Sequence, residues 1–154
     1  MLEGASVSNV TSSVNVSANG NEDLTAGGII GAVLGGTVSN VSATGDVSVT
    51  GSNDVCAGGV VGVSLQGTVR NASATGDISA TTSAAEDAQA GGIVGTSPQG
   101  TVSNVYATGD ISATNNGDSM GVGDIVGACH GGTVSYTALV MVMTVSVDKE
   151  GKEG

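Results

Sequence analysis

The sequence contains one histidine, His130, beside one of its two cysteines, Cys129. A Cys–His pair is, on paper, a nucleophile with its base. Adjacent residues on a glycine-rich turn seldom face each other, however, and His130 occupies the repeat position of Leu34, Leu65 and Pro98. It therefore reads as an exposed turn residue. A lone histidine also denies the chain a His-Glu-x-x-His zinc site and gives a Ser-His-Asp triad no other base. No catalytic residue and no cofactor are expected. Cys56 and Cys129 fall at different repeat positions two coils apart, about 9.6 Å along a stack with ~4.8 Å per coil, beyond the reach of a disulfide.

Three other sets of residues recur at matched intervals. Asp46, Asp77 and Asp110 form an acidic column. Carboxylates ~4.8 Å apart repel, and Ca²⁺ bound along the column would relieve that; the simpler expectation is that each carboxylate caps its own turn and is hydrated. A glycosidase needs two carboxylates in unlike environments, which equivalent members of a column do not supply. Ser48-x-Thr50, Ser79-x-Thr81 and Ser112-x-Thr114 align on one face, preceded by Ser17-x-Asn19. Such a flat array of hydroxyls and methyls is a candidate binding face, of the sort with which ice-binding solenoids order water. Asn9, Asn40, Asn71 and Asn104 form a third column, continued by Tyr136, and stacked amides of this kind make a structural ladder first. A lyase of acidic sugars needs basic residues, and Arg70 alone is a poor supply.

The element that must position these columns is a repeat. Ala26-Gly27-Gly28-Ile29-Ile30-Gly31 returns at Ala57–Gly62 and Ala90–Gly95, and in altered form at Val122–Gly127. The closing glycines, Gly31, Gly62, Gly95 and Gly127, lie 31, 33 and 32 residues apart. Gly-Thr-Val follows each block, at Gly36, Gly67, Gly100 and Gly132, and three copies continue into Ala-Thr-Gly-Asp. Within a repeat the local period is two, as in Asp46-Val47-Ser48-Val49-Thr50, which is strand patterning with small apolar residues inward. Short strands, turns at Gly and Asn, and a period near 32 residues predict an all-β, single-stack parallel β-solenoid of about four coils, right-handed. The solenoid is expected over residues 1–137, with copies at 26–56, 57–89 and 90–121 flanked by partial ones at 4–25 and 122–137. Residues 138–154 form a non-repeat strand and charged tail. The chain begins inside a repeat, as a segment of a longer array would.

Composition agrees. Among 154 residues there are 27 glycines, no Phe or Trp, and two tyrosines. Disorder is disfavoured by abundant Val, Ile and Ala at low charge density, and a helical bundle by the many poor helix formers. A net charge of −11, with three basic residues, excludes a phosphate-binding surface and attraction to anionic lipid. No stretch approaches the length of a transmembrane helix, and no signal peptide is visible. The linkers between the Thr50-type strand end and the next Gly-Gly (19–24, 51–55, 82–89 and 115–120) vary in length and carry Glu22, Asp23, Asp54, Glu86, Asp87 and Asp118. Specific recognition is most expected there.

Gly91-Gly92-Ile93-Val94-Gly95, followed by Gly100-Thr101-Val102-Ser103-Asn104-Val105-Tyr106-Ala107-Thr108-Gly109-Asp110, resembles the GLUG-motif repeats of bacterial surface and secreted proteins. These occur in adhesin-like proteins and in N-terminal regions of some immunoglobulin A proteases. The resemblance covers residues 5–134 and departs at Asp124 and at Ser135-Tyr136-Thr137. It implies an extracellular or cell-surface β-solenoid module without an activity of its own. The expected function is therefore a non-catalytic structural stalk or binding surface, with a host-surface, glycan or protein ligand. The alternatives are an ice-binding face and a polysaccharide-active β-helix. The apolar run within 138–147 is expected to cap the solenoid or to mediate self-association through its ends.

Overall fold

Alternation becomes structure in the simplest way. Val47 and Val49 are buried while Ser48 and Thr50 point outward, and Ile78 and Ala80, then Ile111 and Ala113, repeat the pattern in the following coils. Each strand buries one face of β-branched or small side chains, and a coil gains its partners only from the coils above and below.

The structure is a computed structural model describing residues 2–83, 86–115, 120–131, 133–135 and 145–149. An incomplete first coil supplies β1 (Leu2–Glu3), β2 (Ser6–Ser12) and β3 (Val16–Asn19). The next contains β4 (Leu24–Gly27), β5 (Ile30–Leu34), β6 (Thr37–Ala43) and β7 (Val47–Gly51). Then come β8 (Val55–Gly58), β9 (Val61–Leu65), β10 (Thr68–Ala74) and β11 (Ile78–Thr82). These are followed by β12 (Ala88–Gly91), β13 (Val94–Pro98), β14 (Thr101–Ala107) and β15 (Ile111–Asn115). Last are β16 (Met120–Gly123), β17 (Val126–His130), β18 (Thr133–Ser135) and β19 (Val145–Lys149).

Every pairing is parallel and joins equivalent strands of successive coils, as a β-solenoid requires. Sheet I is β4-β8-β12-β16, sheet II β1-β5-β9-β13-β17, sheet III β2-β6-β10-β14-β18 and sheet IV β3-β7-β11-β15-β19. Like residues stack on like: Val38, Val69 and Val102 in sheet III, Ser48, Ser79 and Ser112 in sheet IV. β19 lies within the C-terminal stretch 138–154 and adds to sheet IV in parallel, with Val145 beside Ile111 and Ser146 beside Ser112. Residues 136–144, which hold Tyr136 and most of the apolar run, lie outside the described residues.

The interior is divided in two. One apolar cluster lies between sheets II and III and includes Val33, Val38, Val61, Val69, Ile93 and Val102. The other lies between sheets I and IV, built from Val47, Val49, Val55, Ile78, Ala88 and Ile111. Sheets I and II meet between the two clusters, brought together by the Gly-Gly turn. A Cβ on Gly58 would overlap the carbonyl oxygen of Val61 in the same turn. A Cβ on Gly59 would overlap the carbonyl oxygen of Gly92 in the next coil and stand 2.5 Å from the Ala74 Cβ. The repeated glycines are thus sites of backbone contact that no side chain can enter.

Two further columns turn the chain with positive φ at non-glycine residues. Asn9, Asn40, Asn71 and Asn104 sit at φ 59, 53, 51 and 51° and bend the strands of sheet III in their middle. Asparagine is among the few residues that tolerate this conformation. At the corner between sheets II and III, Gly35 and Gly131 share their column with Gln66 and Gln99, both at φ 53°.

Candidate functional site

Sheet IV presents the Ser-x-Thr face as a continuous wall. Ser17, Ser48, Ser79, Ser112 and Ser146 pair in one row. Asn19, Thr50, Thr81, Thr114 and Asp148 pair in the next. Ser48 and Thr50 are exposed, and Ser79, Thr81, Ser112 and Thr114 partly so. The wall repeats at the strand spacing of ~4.8 Å, so a ligand meets the same Ser and Thr hydroxyls in the three successive coils of β7, β11 and β15. The acidic linkers join sheet IV to sheet I along one side of this wall. They are tied coil to coil: Asp87 N–H donates to Asp54 Oδ1 at 3.0 Å, and Asn115 Nδ2 donates to the Glu86 carbonyl at 3.0 Å. Asp118 lies outside the described residues.

Asp46, Asp77 and Asp110 border the wall on its other side. The carboxylates of Asp46 and Asp77 reach along the stack rather than into their own turns. Asp46 Oδ1 accepts the Asp77 N–H, and Asp77 Oδ1 accepts the Asp110 N–H, both at 2.9 Å. Asn15 heads the column, its Oδ1 accepting the Asp46 N–H at 2.9 Å. One oxygen of Asp46 and one of Asp77 thus serve a backbone donor. Among the described residues no three His, Cys, Asp or Glu side chains converge as a metal site requires.

The asparagine ladder lies on sheet III, away from that wall. Its four side chains are exposed, and Asn71 Nδ2 donates to Asn40 Oδ1 at 3.1 Å. A second amide pair was not legible in advance: Gln66 Nε2 donates to Gln99 Oε1 at 3.0 Å. The available signal was positional, because these glutamines replace the glycines of the flanking coils. Tyr106 and Arg70 also point outward from sheet III.

The cysteines lie on separate sheets. Cys56 belongs to sheet I and pairs with Thr25 and Gln89, whereas Cys129 pairs with Ser97 in sheet II. Cys56 Sγ lies 3.8 Å from Gln89 Oε1 and 3.6 Å from Thr96 Oγ1, and the Thr96 hydroxyl also donates to Gln89 Oε1. These contacts bridge sheets I and II. Burial pushes the Cys56 thiol above its ordinary range; the Thr96 hydrogen bond pulls the other way, and the carboxylates of Asp54, Asp87 and Asp23 add to the rise. The thiol is accordingly protonated and unreactive at neutral pH. His130 ends β17, its backbone in register with Pro98.

No curated protein and no solved structure matches the chain. The GLUG motif matches it three times, over residues 23–50, 53–79 and 87–112, together more than half of the sequence. Each match spans the Gly-Gly turn, the asparagine bend and the start of a sheet-IV strand, the features that recur coil by coil in the structure. The chain is therefore a β-solenoid repeat module belonging to the GLUG-motif family.

Proposed function

We propose that this module is non-catalytic and extracellular, a segment of an adhesin-like surface or secreted protein that spaces or presents a binding face. The observation that carries this reading is the register of sheet IV, where Ser stacks on Ser and Thr on Thr over three successive coils. A wall that repeats one set of polar groups suits a repeating partner such as a glycan, held by many weak contacts rather than one deep pocket. The varied acidic linkers beside it supply what differs from coil to coil. The test is a glycan and host-protein array probed with the intact chain and with Ser79→Glu/Thr81→Glu. Binding that the double variant abolishes supports the reading, and binding that survives it places the ligand elsewhere.

The same register supports a second reading, an ordered-water or ice-binding face, since regular hydroxyls and methyls are its ingredients. Thermal hysteresis in the intact chain that disappears in Thr50→Lys/Thr81→Lys would establish it. Absence of hysteresis removes it.

A further inference from the structure

Sheet III carries a second polar face, on the part of each strand that precedes the asparagine bend. Thr37, Thr68 and Thr101 stand in one row by register, and Ser39, Arg70 and Ser103 in the row two residues on. Val38, Val69 and Val102 between them are buried, so both rows belong to the outer side of the sheet. Arg70 and Thr101 are exposed, Thr37, Thr68 and Ser103 partly so, and Ser39, next to Arg70 in its row, is buried. Amides border this strip on both sides: the Gln66–Gln99 pair at the corner with sheet II, and the Asn40–Asn71 pair on the bend. Amides and hydroxyls both donate and accept hydrogen bonds, which is the complement that sugar hydroxyls require.

Charge sets this face apart from the rest of the molecule. No Asp or Glu belongs to any strand of sheet III, whereas the sheet-IV wall has the aspartate column on one side and the acidic linkers on the other. Arg70 is the one basic residue between Leu24 and Asn115, and it meets no carboxylate among the described residues. It is therefore a local positive site in a chain of net charge −11. A ligand dense in negative charge is repelled by the chain as a whole. One isolated carboxylate at Arg70 is not, because exposed charges are screened within about 8 Å at physiological salt.

We infer that this strip of sheet III binds an oligosaccharide in which one carboxylated sugar lies among neutral ones. The Arg70 guanidinium takes the carboxylate as a bidentate ion pair. The threonine hydroxyls of neighbouring coils and the flanking amides take the hydroxyls of the sugars on either side. The contact is shallow and non-covalent, and its affinity is the sum of several such contacts along the stack. This face is separate from the sheet-IV wall, and its ligand differs in charge: the carboxylate that Arg70 attracts is repelled by the acidic borders of that wall.

The test titrates the full chain with linear oligosaccharides that carry a single hexuronate among neutral hexoses, each paired with its carboxyl-reduced form. The wild type should bind at least one acid form about tenfold or more tightly than its reduced partner. Arg70→Gln should weaken that binding by about tenfold or more, and Arg70→Lys, a point charge without the planar fork, should fall between the two. Thr101→Glu, which sets a carboxylate on the strip, should abolish binding, whereas Ser79→Glu/Thr81→Glu on sheet IV should leave it unchanged. All the substituted positions are at least partly exposed, so the variants should melt with the wild type and the losses report binding. A wild type that binds none of the acid forms overturns the inference, as do equal affinity for the reduced forms and an Arg70→Gln variant that binds like the wild type. Binding lost only in the sheet-IV variant also overturns it, while leaving the wall proposed above standing.

Discussion

The Gly-Gly corner between sheets I and II and the Ser-x-Thr wall of sheet IV repeat equally well in the sequence, yet they repeat for different reasons. At the corner one coil lies against the backbone of the next, and a single methyl group has nowhere to go: the Gly59 position is closed by the Gly92 carbonyl and by Ala74. On the wall, Ser79 and Thr81 alternate with the buried Ile78 and Ala80 and are partly exposed. Repetition at the corner is a condition of stacking. Repetition on the wall follows from strand preference and remains open to selection by a ligand.

The largest effect that separates the two regions is expected from Gly59→Ala. Its Cβ must displace two coils at once, which costs about 3–5 kcal/mol and is read as a large fall in melting temperature. Thr81→Val on the wall should stay within about 0.5 kcal/mol of the wild type. Equal losses from both would erase the distinction.

Next comes the asparagine bend. Asn71→Ala loses the contact with Asn40 and places an ordinary L-residue at φ 51°, for a combined cost of about 2 kcal/mol. Asn71→Gly loses only the amide contact and should recover at least half of that in a denaturant melt. If Gly is as damaging as Ala, the ladder and not the bend is what asparagine supplies.

How much of this was legible follows from the same contrast. The period, the strand faces and the stacking of like residues can be read from the sequence, because they depend on side-chain type at fixed intervals. Columns set by the backbone were legible only as pattern. Asn40 and Asn71 suggest a ladder, but nothing in the letters says that the backbone there has positive φ. Gln66 and Gln99 adopt the same conformation without the residue type that announces it. The Asp46 column is visible, yet its hydrogen bonds run between coils rather than within a turn, and Asn15 belongs to it from an incomplete copy. The division of the interior into two clusters arises because the Gly-Gly turn folds sheet I against sheet II, which alternation alone does not reveal.

A smaller effect, of opposite sign, is expected inside the core. Ser64 and Ser97 are fully buried in the column that also holds Val33, and their hydroxyls meet no hydrogen-bond partner among the described residues. A buried unpaired hydroxyl costs about 1–3 kcal/mol. Ser64→Ala removes it without adding volume and should stabilise the chain by about 1 kcal/mol, or roughly 2–4 °C in melting temperature for a chain of this size. A loss of stability would show that the hydroxyl is satisfied in solution.

The smallest effect tests the border between corner and wall, where the aspartate column uses backbone donors as the corner does and charge as a binding face would. Asp77 Oδ1 accepts the Asp110 N–H, and Asp77 donates its own N–H to Asp46. Asn15 performs the accepting role at the head of the column without a charge. Asp77→Asn therefore keeps the acceptor while removing a negative charge from between two others. At an exposed site the relief is screened and worth a few tenths of a kcal/mol, and it should fade as salt is raised. Asp77→Ala removes the acceptor and returns the Asp110 amide to water, a loss of up to about 1 kcal/mol that salt does not restore. The sign of the asparagine variant is the decisive quantity. If Asp77→Asn destabilises as much as alanine, the charge itself is in use. Calcium should then raise the melting temperature of the wild type but not of the variant, and the column would belong with the binding face rather than with the scaffold.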